Sequence, residues 1–415
     1  MTAFDHAVPA GLKARSHRVR LAKRIRLSSA FVLMAMSGLV WTSFSLFLVA
    51  LEGEFHWSRA EISGAFSVFA LTNALTAPAF GYVLGRWDSR RLLAASSLVL
   101  GLALCGLSLV GSPAAYWMVF GVIGGIGSHC ISSYAVFAVL AGRFRERPAT
   151  AMAIADAGSG LATFLGLPVI HWMIVELGWR VAYLILGSSV ALIGGALHLL
   201  AMDPLRRTHR QHSARPSVRL PLVSLLALAA AYFCGSAAYQ GLTTQQIALL
   251  DHYGVAESLA VWAVALAGLV LFIWRLTSGH LCDRWGPGKV MIIAAAGVVT
   301  TFASVAIGEA LAAPGALLVL PMAVGIAFGG QQVLLAASAQ LMTRPASLAR
   351  VLGFCRMASG LGMAAGPLLA GYAFDMTGQY GWPIGLLALM SLGHMAAYTM
   401  AFGFVRAKHD PIVTA

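Results

Sequence analysis

The chain has 415 residues, of which 59% are hydrophobic and 10% charged, with a mean hydropathy of +0.81 and a formal net charge of +13. That leaves too little polar surface to clothe soluble domains of this size, so the composition excludes an ordinary globular protein and implies a polytopic membrane protein. A nucleic-acid partner is excluded too, because the 28 lysines and arginines are scattered through short loops between apolar runs and form no single basic face.

In chain order, residues 1–26 form a basic tail, and the apolar run that follows is too long for a signal-peptide core, so the first span is expected to stay as a signal anchor. Stretches able to cross about 30 Å of hydrocarbon fall at 27–51, 59–85, 90–111, 115–141, 148–176, 180–201, 221–250, 256–282, 288–311, 315–341, 347–374 and 380–405. The second opens on Ser58-Arg59-Ala60-Glu61, a capping-box pattern. With the N-terminus inside, 25 of the 28 basic residues fall on inner segments, leaving Arg59 and Arg180 outside and Arg275 within the membrane, so both termini are expected in the cytoplasm of an inner or plasma membrane.

The two halves echo each other. Gly81 matches Gly279, Ser159-Gly160-Leu161 matches Ser359-Gly360-Leu361, Pro168 matches Pro367, and Gly178-Trp179 matches Gly381-Trp382, at nearly constant offset. The expected architecture is therefore an all-α membrane protein of twelve transmembrane helices in two pseudo-symmetric six-helix halves. The first bundle is 27–201, a basic linker with Pro204 and Pro216 occupies 202–220, the second bundle is 221–405, and 406–415 is a second cytoplasmic tail. Tandem halves of this kind are typical of alternating-access carriers with a site between the repeats near the bilayer midplane.

Arg275 lies inside the eighth span, eight residues before Asp283 and so about 12 Å along the helix, which is deep for snorkelling. An intramembrane guanidinium is a functional candidate, and it holds a planar carboxylate in a bidentate grip. Asp156 sits among small residues about 12 Å into the fifth span. It is a candidate proton carrier or counter-charge for Arg275, with a helix–helix hydrogen bond as the bland alternative. His129, in the fourth span after the glycine-rich GVIGGIGS, could titrate near neutral pH or simply pack. Tyr232, Ser236, Tyr239, Thr243 and Gln246 are spaced four, three, four and three residues apart, a polar stripe along one face of the seventh span that should meet a cavity or another helix and not lipid.

The loop 279–289, GHLCDRWGPGK, resembles the signature of the major facilitator superfamily, with Gly279, Asp283, Arg284, Gly286 and Lys289 in place. The equivalent loop 81–91 keeps Gly81, Arg86, Arg90 and Arg91 but has Gly85 where the family carries Asp, with Asp88 nearby. Within that superfamily the chain is similar to monocarboxylate transporter-like porters and their oxalate/formate antiporter relatives. The residues that carry this likeness are Arg275-x-x-x-Gly279, Glu176-Leu-Gly178-Trp179-Arg180 and Gly366-Pro367 with Asp375-Met-Thr377-Gly378-Gln-Tyr380. The resemblance implies that Arg275 binds a substrate carboxylate, that the loop motifs act as cytoplasmic gates, and that the first, fourth, seventh and tenth spans line a central cavity. Trp41 and Ser45, and Gln331 and Gln332, thereby join the candidates. Leu271 replaces the family's acidic neighbour of the arginine, and the first span from Phe31 to Phe47 lacks a lysine or carboxylate.

The leading expectation is thus a secondary carrier, not an enzyme, moving a small organic anion, a monocarboxylate, by alternating access, either coupled to protons or by exchange. It would work as a monomer in the lipid bilayer with no cofactor. Arg275, Tyr232, Tyr239, Thr243, Gln331, Gln332, Trp41 and His129 would form the substrate site. The competing readings are an efflux carrier for apolar or cationic compounds, relying on Asp156, and a non-transporting membrane sensor. The five cysteines show no metal spacing, and no nucleophile triad or nucleotide loop is present to support an enzyme.

Overall fold

The computed structural model describes residues 10–84, 86–133, 136, 140, 148–200, 222–285, 287–311, 313–331, 334 and 345–409. Among these, eleven helices are long and apolar enough to cross a membrane. A shorter apolar helix, Pro314–Gly329, begins the tenth span and completes the twelve-helix, two-half architecture. Helix is what a lipid environment demands of such sequences, since every backbone N–H and C=O must find its partner within the segment.

The first span is a helix from Ala10 to Thr42 that breaks at Ser43 and resumes over Phe44–Phe55. The fourth opens with Pro113–Tyr116, capped by Ser112, and widens to a π-helix over Trp117–Gly124. The sixth widens the same way at Val190–Gly194. Prolines interrupt three long helices, Pro78 in the second span, Pro168 in the fifth and Pro367 in the eleventh, each deleting one backbone hydrogen bond.

The internal repeat is visible in the turns. The fifth span ends at Gly178 with φ 82°, and the eleventh at Gly378 with φ 67°, a left-handed conformation open to glycine at little cost. Structurally, then, Gly178 corresponds to Gly378, and the sequence match of Gly178-Trp179 to Gly381-Trp382 is displaced by three residues. The two tryptophans differ accordingly: Trp179 is buried, with its indole donating to Glu54 at 2.5 Å, whereas Trp382 is exposed.

The halves meet along two seams. In one, the fifth span packs on the eighth, where a Cβ on Gly160 would lie 2.6 Å from the backbone nitrogen of Phe272 and one on Gly268 2.7 Å from the carbonyl of Gly160. In the other, the eleventh packs on the second, with Gly360 against Ala74. Positions 160 and 360, and 272 and 74, are repeat equivalents, so the second seam is the first rotated by the pseudo-two-fold. Within each half, glycines on the fifth and eleventh spans likewise meet the backbone of the first and seventh spans (Gly158 on Phe31, Gly366 on Ala237). In a membrane, where apolar burial no longer drives association, this close backbone approach supplies the packing energy.

Candidate functional site

A cavity of about 30 Å³ lies between the halves, lined by Thr42 of the first span, Thr163 of the fifth, Tyr239, Thr243 and Gln246 of the seventh, and apolar or small residues of the eighth and tenth, including Leu271 and Val324. It has room for about two water molecules, so the halves are drawn together around it in this conformation. The hydroxyls of Thr42 and Thr163 face each other at 3.4 Å, each also donating back to a carbonyl one turn earlier. Tyr239 packs towards the Phe328 ring, 6.1 Å between centroids.

One helical turn from Leu271 and Thr163 lies the charged part of the site. The Nη1 of Arg275 is 3.2 Å from the Asp156 carboxylate, donates to the Asp156 carbonyl at 3.1 Å and reaches the Ser159 hydroxyl. This ion pair bridges the fifth and eighth spans, and hence the two halves. Its members are only 19% and 28% exposed, so the attraction is weakly screened. The Nε of Arg275 is buried without a hydrogen-bond partner. One edge of the guanidinium is thus taken, and the Nε–H is left to donate to an oxygen such as that of a planar carboxylate.

The seventh-span stripe divides along its length. Tyr239, Thr243 and Gln246 face the cavity, whereas Ser236 bonds Ser359 across to the eleventh span at 2.7 Å and Tyr232 is buried in an apolar cluster with Leu228, Cys355 and Tyr398. On the first span it is Thr42, not its neighbour Trp41, that lines the cavity. The Trp41 ring stands edge-on to Phe66 and Phe69 at 5.3 and 5.2 Å, and Ser45 bonds the Thr42 carbonyl. Gln331 is buried against Gly235 and His394, beside the seventh and twelfth spans. His129 is fully buried against the second span: Asn73 and Thr76 lie 3.3 and 2.9 Å from its two ring nitrogens, and Phe80 stacks on it at 4.4 Å. The structure therefore brings Arg275, Asp156, Tyr239 and Thr243 to one region and puts Tyr232, Trp41, Gln331 and His129 in packed surroundings. Thr42, Thr163 and Ser159 were not candidates from sequence. A threonine or serine bonded to its own helix gives no sequence signal, and only the crossing of the spans turns it inward.

At the opposite ends of the helices, Gly81 has open space around it and Arg86 lies over the Tyr82 ring at 4.0 Å. Asp88 caps the third span through the Arg90 backbone N–H at 3.0 Å and pairs with the Arg90 side chain at 3.2 Å. That side-chain hydrogen bond holds the partly exposed Asp88 carboxyl below the usual carboxylate range. In the other half, Arg284 and Lys289 are exposed. Gly279 and Asp283 stand in the helix Glu257–Trp285, whereas Gly286, Gln332 and the whole of the 202–220 linker lie outside the described residues. Among the described residues no cluster of His, Cys, Asp or Glu could hold a metal ion.

Comparisons with known proteins bear on the family and the fold. A family model described as Major Facilitator Superfamily matches residues 30–367 and 228–413. Monocarboxylate transporter 13 of Bos taurus is 23% identical over 367 residues, covering 85% of this chain and 83% of its own. Monocarboxylate transporter 12 of Homo sapiens is 30% identical over 169 residues, covering 40% of this chain and 32% of its own. Among solved structures, the nucleoside transporter NupG superimposes with a TM-score of 0.66 at 16% identity, covering 94% of this chain and 99% of that one. A bacterial homologue of the human lysosomal transporter Spinster, in an inward-facing and unoccupied conformation, gives 0.67 at 15% identity, covering 93% and 97%.

Proposed function

Since the chain belongs to the major facilitator superfamily and is a membrane transporter, we propose that it moves a small organic anion, a monocarboxylate, by rocking its two halves about the cavity between them. The observation that carries this reading is Arg275. It is a guanidinium held within the membrane region, one turn from the cavity between the halves, with a buried Nε–H that has no acceptor. Relatives named as monocarboxylate transporters favour the same substrate class.

In this reading the substrate carboxylate binds the Nε edge of Arg275 and competes with Asp156 for the rest. Tyr239, Thr243 and Gln246, with Thr42 and Thr163, contact the remainder of the molecule through hydroxyl and amide groups. Protonation of Asp156 removes its hold on Arg275 and leaves the cation to the anion, which couples uptake to a proton without a second cationic site. The ion pair also speaks against the efflux alternative, because an export site for cations needs a free carboxylate and this one is matched by an arginine. We place both termini in the cytoplasm of an inner or plasma membrane, on the asymmetry of the basic loops, with the protein acting as a monomer.

Uptake of radiolabelled monocarboxylates into proteoliposomes tests the assignment. Arg275→Ala is expected to lower uptake by about a hundredfold, the cost of truncating one member of a partly buried charge pair, and Arg275→Lys to recover only part. Uptake unchanged in both variants removes the anion-binding role.

A further inference from the structure

A second polar system, outside the cavity and unrelated to its charge pair, joins the halves at the end where the second span begins. Arg59, the first residue of that span, is 7% exposed although it is charged. Its Nε donates to both oxygens of the Glu52 carboxylate at 3.0 and 3.1 Å, its Nη1 donates to the Tyr380 hydroxyl, and its guanidinium lies 3.9 Å from the centre of the Phe374 ring. Tyr380, itself buried, passes the chain on to Gln245 at 3.3 Å, and Gln245 donates to Ser63 at 2.8 Å. Glu52, Arg59 and Ser63 belong to the first half, and Gln245, Phe374 and Tyr380 to the second.

The backbone is tied as well. Asp375, near the end of the eleventh span, accepts the N–H groups of Arg59 and Ala60 at 3.1 and 2.7 Å, so a carboxylate from one half caps a helix of the other. Those N–H groups are the orphan donors of a helix start and carry its positive end, where a carboxylate is most favoured. Gly371 permits the approach, since a Cβ there would lie 2.8 Å from the Arg59 carbonyl oxygen. Glu54, beside this cluster, is bound by Trp179 at 2.5 Å and Arg180 at 2.7 Å, which anchors the segment carrying Glu52 to the sixth span. At the equivalent place on the other seam His171 meets Glu257 at 3.4 Å, with Glu257 40% exposed.

We propose that Arg59, Glu52, Asp375 and Tyr380 form a latch that holds this end of the transporter shut, and that its release opens the cavity to this side. Every group in it is polar, so each finds water when the halves part. That makes the closure reversible in a way that an apolar seal of the same extent would not be. The role rests on the rocking-halves reading above.

The test measures the opening directly. With the five native cysteines replaced, spin labels at Gly111→Cys in the first half and Gln379→Cys in the second, both exposed at this end, report the distance across it in liposomes by pulsed electron resonance. Asp375→Asn, which keeps the shape and one acceptor, and Tyr380→Phe, which removes only the hydroxyl, are each expected to raise the long-distance population by about threefold or more over the parent. Distributions that superimpose on the parent in both variants overturn the latch. Counterflow by the labelled parent reads the carrier mechanism separately: a shift in the variants without counterflow in the parent refutes the carrier and keeps the latch, whereas counterflow with no shift does the reverse.

Discussion

The two seams between the halves are built from equivalent spans but carry their charge at different depths. Where the fifth span meets the eighth, the pair Arg275–Asp156 sits within the membrane span beside the cavity, and the end is joined by the His171–Glu257 contact. Where the second meets the eleventh, the middle is small-residue packing of Gly360 on Ala74, and the charge is gathered at the end in the Arg59–Asp375–Tyr380 system. Repeat equivalence makes the contrast sharper: Asp156 corresponds to Arg356, which is exposed and donates to Ser133 at 3.2 Å, and Arg59 corresponds to Glu257. A duplicated scaffold places a close-packed glycine at equivalent points of both seams, and divergence of a few side chains gives one seam a charge pair beside the cavity and the other a charged cluster at its end.

The largest expected effect breaks the charged seam at its centre. Asp156→Ala leaves Arg275 without its counter-charge, with only the residue-156 carbonyl and the Ser159 hydroxyl as partners, and is expected to cost about 2 kcal/mol, less than for a fully buried pair because both partners retain some exposure. Thermal unfolding of the purified protein should show Asp156→Ala/Arg275→Ala to be more stable than Asp156→Ala alone, and Arg356→Ala nearly silent. An equal loss for Arg356→Ala erases the distinction between the seams. In the same series, Asp156→Asn should abolish accumulation driven by a pH gradient while leaving exchange measurable.

Next comes the packing that the seams share. A Cβ at Gly160 would meet the Phe272 nitrogen at 2.6 Å and the Gly268 carbonyl at 2.8 Å, both backbone, whereas at Gly360 the close neighbour is the Ala74 methyl. Overpacking of this kind costs about 1–3 kcal/mol, and backbone yields less readily than a methyl group. Gly160→Ala should therefore reduce transport rate and melting temperature more than Gly360→Ala. The reverse order would mean that the second seam is the more rigid of the two.

The smallest effect lies outside both seams and serves as their control. Asp88 caps the third span, and its carboxyl is held below the usual range by the hydrogen bond from Arg90. A depressed value in the folded state contributes stability that is present above the ordinary carboxylate range and is lost as pH falls through the depressed one. The melting-temperature gap between the parent and Asp88→Ala should accordingly be small at neutral pH and close further on acidification, with transport unchanged. A gap that widens in acid contradicts the assignment of that cap.

Much of this was legible in the residues. Twelve apolar stretches, the repeat and the loop 279–289 give the fold class, because a lipid environment leaves helices as the form such stretches can take. Arg275 announced itself for the same reason, since a cation in an apolar run has to be balanced or used. The seventh-span stripe was legible as a face but not as a destination: Tyr239 and Thr243 reach the cavity, while Ser236, on the same face, spends its hydroxyl on Ser359. Trp41 and His129 stand out in the sequence by residue type alone, and what surrounds them, aromatic rings for one and Asn73 and Thr76 for the other, belongs to other spans.

Sequence by itself determined the environment, the number of spans, the duplication and the presence of a buried cation, because these follow from composition and from periods along one chain. Only the tertiary structure decided that Arg275 meets Asp156, that Thr42 and Thr163 face the same cavity, and that Asp375 caps a helix of the opposite half. Those pairs are separated by 119, 121 and 316 residues, and the angle at which two helices cross, set by where glycine lets backbones touch, fixes which side chains come within reach.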